Sequence, residues 1–276
     1  MRLVILAILG VIFAAPAAAG DWRLVWSDEF NGTGLPDPAQ WTYEEGFIRN
    51  NELQFYTKAR QENVRRENGL LIIEARKERF DNPFHREGSN RRGERKNTAD
   101  YTSASLTTEG KASWSHGRIE VRAKLPAGRG TWPAIWLLGT GYRTAGWPKC
   151  GEIDIMEHVG HDPGIVHANI HTQAYNHVQR TNKGDKITVD QPSRSFHTYS
   201  VEWSNEQMDF FAGDKKYFSF KNEKTGVDVW PFDKPHYLIL NIAIGGSWGG
   251  QKGVDDSIFP QRMEIDYVRV YQRTAP

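Results

Sequence analysis

Short runs in which apolar and polar residues alternate fill most of the chain beyond residue 20. Ile119, Val121, Ala123 and Leu125 alternate with charged neighbours, the two-residue period of a strand with one buried face. Leu70-Leu71-Ile72-Ile73-Glu74-Ala75, apolar but for Glu74, follows the turn signal Asn68-Gly69. Similar runs recur at residues 166–171, 199–203, 208–211, 237–244 and 265–271. No long segment carries the 3.6-residue period of a helix, and no internal repeat or Pro/Ser/Gly linker divides the pattern. Many closely spaced strands predict an all-β fold, a two-sheet β-sandwich, as one domain over residues 20–276.

The first residues follow another pattern. Arg2 precedes an apolar run over residues 3–13, and Ala17-Ala18-Ala19 supplies small residues before Gly20. This is the layout of a secretory signal peptide over residues 1–19, and the run is too short for a comfortable membrane span. A secreted protein, extracellular or periplasmic, is expected, with no stable membrane insertion after the signal is removed. Cys150 is the only cysteine, so a disulfide-stapled scaffold is excluded. It reads as a buried structural thiol.

Charge changes the picture little. The 35 basic and 34 acidic residues nearly cancel, which favours neither nucleic acid nor a polyanion as partner. Arg86, Arg91, Arg92, Arg95 and Lys96 cluster between residues 80 and 101, but Glu87 and Glu94 dilute them and no aromatic platform accompanies them. A solvated surface loop is expected there rather than a nucleic-acid patch. A monomer is expected.

The chemistry concentrates in Glu152-Ile153-Asp154-Ile155-Met156-Glu157. On a strand Glu152 and Asp154 share a face, and Glu157 falls on the other. One extra residue, a β-bulge near Ile155 or Met156, would turn Glu157 back to join them. Carboxylates so crowded repel, and one should keep its proton at neutral pH. A proton donor beside an ionised carboxylate is what retaining glycoside hydrolysis requires. The alternative is an amphipathic strand with a solvated acidic face. Against it stand three aromatic segments: Trp132 to Trp136, Gly146-Trp147-Pro148, and Gly246-Ser247-Trp248-Gly249. Sugars present flat C–H faces that pack on such rings, so Trp132, Trp136 and Trp248 are candidate cleft residues. His167, Asn169 and His171 share another strand face, and His171 could bond a carboxylate or a sugar hydroxyl. Histidines 158, 161, 167, 171 and 177 fit no zinc-motif spacing.

Gly151 to Glu157 resembles the catalytic signature of glycoside hydrolase family 16. Its spacing is similar to the laminarinase-like branch with a bulged catalytic strand. The resemblance extends over Trp26 to Gly32, Asn50 to Thr57, Gly117 to Lys124, Trp132 to Leu137, Leu240 to Gly246 and Ile265 to Tyr271, nearly the whole chain past the signal. It implies a jelly roll with a concave substrate cleft. It implies an endo-acting retaining hydrolase of internal β-1,3-glucosidic bonds, with a laminarin-type β-glucan as substrate and no catalytic cofactor.

The resemblance further implies roles. Glu152 would be the nucleophile, Glu157 the acid and then base, and Asp154 the group between that positions Glu152 and biases protonation. Asn51 and Glu52 would line the sugar side of the cleft, and His171-Thr172 resembles a family motif. A structural calcium would lie near Glu29, Gly69 and Asp266, mostly on backbone carbonyls. Gly245 to Gly250 departs from the usual laminarinase loop, which has Asn before the Trp and Pro after it. Relatives cleave mixed-linkage glucan, agarose or carrageenan, or transfer sugars instead of hydrolysing them. A non-catalytic glucan-recognition protein on this fold would lack the two Glu residues that this chain retains.

Overall fold

The computed structural model describes residues 21–274. The expected signal peptide lies outside the described residues. Two sheets face each other. The seven-stranded sheet runs Lys183–Thr188, Ile165–His171, Glu152–His158, Thr131–Gly139, His236–Ile244, Ser105–Thr107 and Thr42–Glu44 in spatial order. The ten-stranded sheet is built around the long strand Gln261–Arg273. One side of that strand pairs with Gly117–Lys124. The other side pairs with Leu70–Asp81 up to Ile265 and with Trp22–Asp28 from Val268 on.

The alternation read from the sequence decides which side chains enter the core. In Gly117–Lys124 burial alternates residue by residue, with Ile119, Val121 and Ala123 fully buried. They meet Ile135, Leu137, Ile153, Ile170, Leu238 and Leu240 of the opposite sheet in one continuous cluster. A fully buried Val, Leu or Ile contributes ~1.5–3 kcal/mol relative to exposure, so a core of this extent fixes the register of both sheets. Trp203 is buried in this cluster, and Trp26 packs against it between Trp41 and Trp114.

The basic region is mainly exposed loop, as expected, but its ends are ordered. Leu70–Asp81 extends one residue past Phe80, Thr98–Ser103 forms a strand, and Arg92–Arg95 makes one helical turn. Buried Asn82 ties the loop together by donating to the carbonyls of Gly93 and Lys96. Among the described residues no helix is long and apolar enough to cross a membrane.

Candidate active site

Two glycines set the entry of the Glu152–His158 strand. Gly151 has φ +83°, and a Cβ there would meet His236 Nε2 at 2.8 Å. A Cβ on Gly139 would lie 1.9 Å from the Cys150 carbonyl oxygen. Both positions therefore require glycine for the strands to close on each other. Cys150 is buried, and burial first, then the charge of Glu152, pushes its thiol up to about 12. It is a structural thiol, not a nucleophile.

The expected bulge is present. Asp154 pairs with Asn169, and Glu157 with His167. Three steps along this strand thus match two along its neighbour. On the other side Asp154 pairs with Trp136 and Met156 with Ile135. Ile153, Ile155 and Met156 are all fully buried, so both bulge residues point into the core. Glu157 is turned back, and all three acids line one cleft of about 480 Å³.

The flanking strands furnish the walls by the same alternation. Thr131–Gly139 presents Trp132, Ala134 and Trp136, Ile165–His171 presents His167, Asn169 and His171, and His236–Ile244 presents Asn241 and Ala243. The Trp147 indole N–H donates to Glu152 Oε2 at 3.0 Å. That of Trp132 donates to Glu157 Oε1 at 3.0 Å, and Asn169 Nδ2 to Glu157 Oε2 at 3.4 Å. His171 Nε2 lies 3.3 Å from Asp154 Oδ2 and 3.5 Å from Glu152 Oε1. Trp248 stands edge to face with Trp132 and His167, at centroid distances of 5.6 and 4.9 Å.

Burial dominates the electrostatics. It raises all three carboxyls, Glu152 to about 8 with Asp154 adding to the effect, and Asp154 well above the usual range with Glu157 adding. Glu157 is raised less freely, because His171 and the N–H groups of Trp132 and Asn169 favour its charged form. Asp154 is the deepest of the three acids, and its Oδ2 accepts no hydrogen bond from a described residue. A proton therefore belongs on Asp154. Placing it there removes the second-largest influence that raises Glu152 and leaves Glu152 free to ionise.

The cleft contains Glu152, Asp154, Glu157, Glu52, Trp132, Trp136, His171 and Trp248, all expected there, but not Asn51. Its neighbour Asn50 takes that place, and Asn51 is exposed. Both residues have positive φ, 52° and 53°, so the chain coils tightly and side chains no longer alternate. Asn50 Nδ2 donates to Glu52 Oε1 at 3.3 Å, and Gln54 Nε2 to Glu52 Oε2 at 2.7 Å. The Asn50 carbonyl accepts from Ser247 N at 2.9 Å, which fastens the Gly245 to Gly250 loop. Gly246 has φ +73°, and its Cβ would press on Asn50 O and Glu52 Cγ, both at 3.1 Å.

Arg49, Asn169, His177 and Asn241 also line the cleft, and no local pattern marks Arg49 or His177 for that place. Asn241 is a lone amide in an apolar run, a signal that was legible. It accepts from Trp136 Nε1 at 2.8 Å and donates to Tyr56 Oη at 3.1 Å.

Two places bear on metals. Glu152, Asp154 and His171 offer ligand atoms within 4.8 Å of one another, and all three line the cleft. Asp28 pairs with Val268 and Leu71 with Ile265, so Glu29, the turn at Gly69 and Asp266 flank the point where Gln261–Arg273 changes neighbour. There the carboxylates are engaged: Arg269 donates to both Glu29 oxygens at 2.9 and 2.8 Å, and Arg122 pairs with Asp266.

A β-sandwich that gathers three acids under indole N–H donors in a tryptophan-walled cleft defines a carbohydrate-cleaving enzyme of the two-carboxylate type. The model of glycosyl hydrolases family 16 matches residues 51–269. A β-glucanase of Rhodothermus marinus is 50% identical over 263 residues, covering 92% of this chain and 86% of that protein. The X-ray structure of the laminarinase from Rhodothermus marinus aligns with a TM-score of 0.84 at 49% identity, covering 93% of this chain and 99% of that one. A glucan endo-1,3-β-glucosidase of Cryptopygus antarcticus is 37% identical over 269 residues, 91% of this chain and 93% of that protein. The chain belongs to glycosyl hydrolases family 16 and is a glycoside hydrolase.

Proposed function

We propose that the protein is an endo-acting, retaining hydrolase of internal β-1,3-glucosidic bonds in laminarin-type β-glucans. The bulge at Ile155 and Met156 carries the mechanism, because it brings Glu157 to the face of Glu152 and Asp154. The likeness to a glucan endo-1,3-β-glucosidase and to a laminarinase, each over nine-tenths of the chain, supports the substrate.

Glu152 attacks the anomeric carbon and forms a glycosyl ester. Glu157 gives its proton to the leaving oxygen, then takes one from the incoming water, which releases the sugar with its configuration retained. Asp154 holds a proton beside Glu152 and keeps the nucleophile ionised. His171, in reach of both Glu152 and Asp154, orients the pair. Trp248 and Trp132 offer faces for the sugar rings. No cofactor is needed for these steps.

Two further points belong to the proposal. A structural calcium would sit on main-chain carbonyls near Glu29, Gly69 and Asp266 and would act on stability only. Export follows from residues 1–19 and suits a polymeric substrate that stays outside the cell.

The test is incubation with laminarin, mixed-linkage glucan, agarose and carrageenan, with product analysis. Short laminari-oligosaccharides are expected early, with slower cutting of mixed-linkage glucan. Cleavage of agarose or carrageenan alone would overturn the substrate. Glucose as the sole early product would overturn endo action.

A further inference from the structure

A second cavity of about 480 Å³ is formed chiefly by the ten-stranded sheet, and none of its lining residues lines the catalytic cleft. We propose that it is a second carbohydrate-binding site that holds a short stretch of the same glucan chain outside the cleft. The ligand class rests on the function proposed above; the cavity does not.

The walls suit a neutral polyhydroxyl ligand. Trp22 supplies indole surface, Trp203 lies buried at the wall, and Glu202, Asn205, Gln207 and Asp209 supply planar polar groups. The volume falls in the ~300–1,000 Å³ range of small-ligand sites. Trp203 is 2% exposed, and its Nε1 has no hydrogen-bond acceptor among the described residues. A buried indole N–H ordinarily finds a partner, and a sugar hydroxyl supplies one.

The rim is already ordered. Gln207 Nε2 donates to both oxygens of Asp209 at 2.8 Å. Arg118 holds Glu202 Oε1 at 2.9 Å, and the Arg273 guanidinium lies 4.2 Å from the Trp22 ring centroid. Groups fixed in this way lose little freedom on binding. A polymer held at two places on one enzyme stays at high effective concentration near the cleft.

The experiment is calorimetric titration of the full Glu152→Gln protein with a β-1,3-linked glucose hexasaccharide. Two binding events are expected. Trp22→Ala in that background should remove one event and leave the cleft event at unchanged affinity, which also reports an intact fold. Should Trp22→Ala lose both, Asn205→Ala with Gln207→Ala, at rim positions, decides: loss of one event supports the site. A single event in Glu152→Gln, or two events unchanged in the rim variant, overturns it while the cleft assignment stands. No binding at all overturns both the site and the glucan reading.

Discussion

The Trp147 indole N–H donates to Oε2 of Glu152 at 3.0 Å. The bond places a neutral donor on the proposed nucleophile, where it favours the ionised form against the burial that raises Glu152 to about 8. Trp147→Phe keeps the ring and removes the donor. Its kcat/KM should fall roughly 10- to 100-fold, the worth of a hydrogen bond to a charged group. The acid limb of the pH–rate profile should move to higher pH, because Glu152 then ionises less readily. An unmoved acid limb would show that the bond does not tune the nucleophile.

Glu152→Gln should abolish turnover in a folded protein, because an amide forms no glycosyl ester. It should also be more heat-stable at neutral pH. The crowded, buried carboxyls of the folded site, with Glu152 raised to about 8 and Asp154 well above its usual range, keep between them a proton that a free carboxyl releases near 4.5. The folded protein therefore holds a proton that the unfolded chain releases, and stability falls as pH rises between those values. The variant escapes this penalty. Its advantage in melting temperature should be nil below about pH 4.5 and grow toward pH 8, at about 2–4 °C per kcal/mol. Melting curves across that range test it, and residual activity near the wild-type rate would remove Glu152 as nucleophile.

Glu157→Ala should depend on the leaving group. Natural polymers, with poor leaving groups, should lose most activity, and an activated aryl glycoside much less. Azide added to the aryl-glycoside reaction should restore rate and give a β-azide, since it attacks the glycosyl ester in place of water. An α-configured azide would reverse the roles given to the two Glu residues.

Trp248 is half-buried and braced edge-on by Trp132 and His167. Trp248→Ala should reduce kcat/KM on laminarin about tenfold, equivalent to ~1.4 kcal/mol of stacking. Its melting temperature should change little, because the ring lies at the edge of a small satellite cluster outside the main core. A large drop in melting temperature with unchanged kinetics would make Trp248 a packing residue only.

Calcium should act on stability alone. After treatment with a chelator, added Ca²⁺ should raise the melting temperature by a few degrees, as a ligand that binds only the folded state does. Turnover at a temperature where both forms are folded should not change. Equal melting curves with and without Ca²⁺ would remove the metal.

Much was legible because it depends on local periods. Two-residue alternation placed Ile119, Val121, Ala168 and Ile170 inside, and it carries no reference to distant chain. The acid run exposed its own geometry: an even spacing from Glu152 to Asp154, then an odd one to Glu157, required an extra residue to share a face. Asn51 failed because alternation stops where φ turns positive, and only the coiled path of the chain decides which of two adjacent asparagines faces the cleft. Trp147 flanks the acids in the sequence, but its bond to Glu152 depends on the turn between them.

The sequence by itself determined an all-β sandwich, the three acids, the bulge and the indoles around them, since each follows from side-chain period and residue type. Only the tertiary structure decided that Asn241 would hold Trp136, 105 residues away, that Arg269 and Arg122 would engage Glu29 and Asp266, and that a second cavity opens beside Trp203. Those contacts join strands far apart in the chain. Their partners are chosen by sheet register and core packing, which no local pattern records.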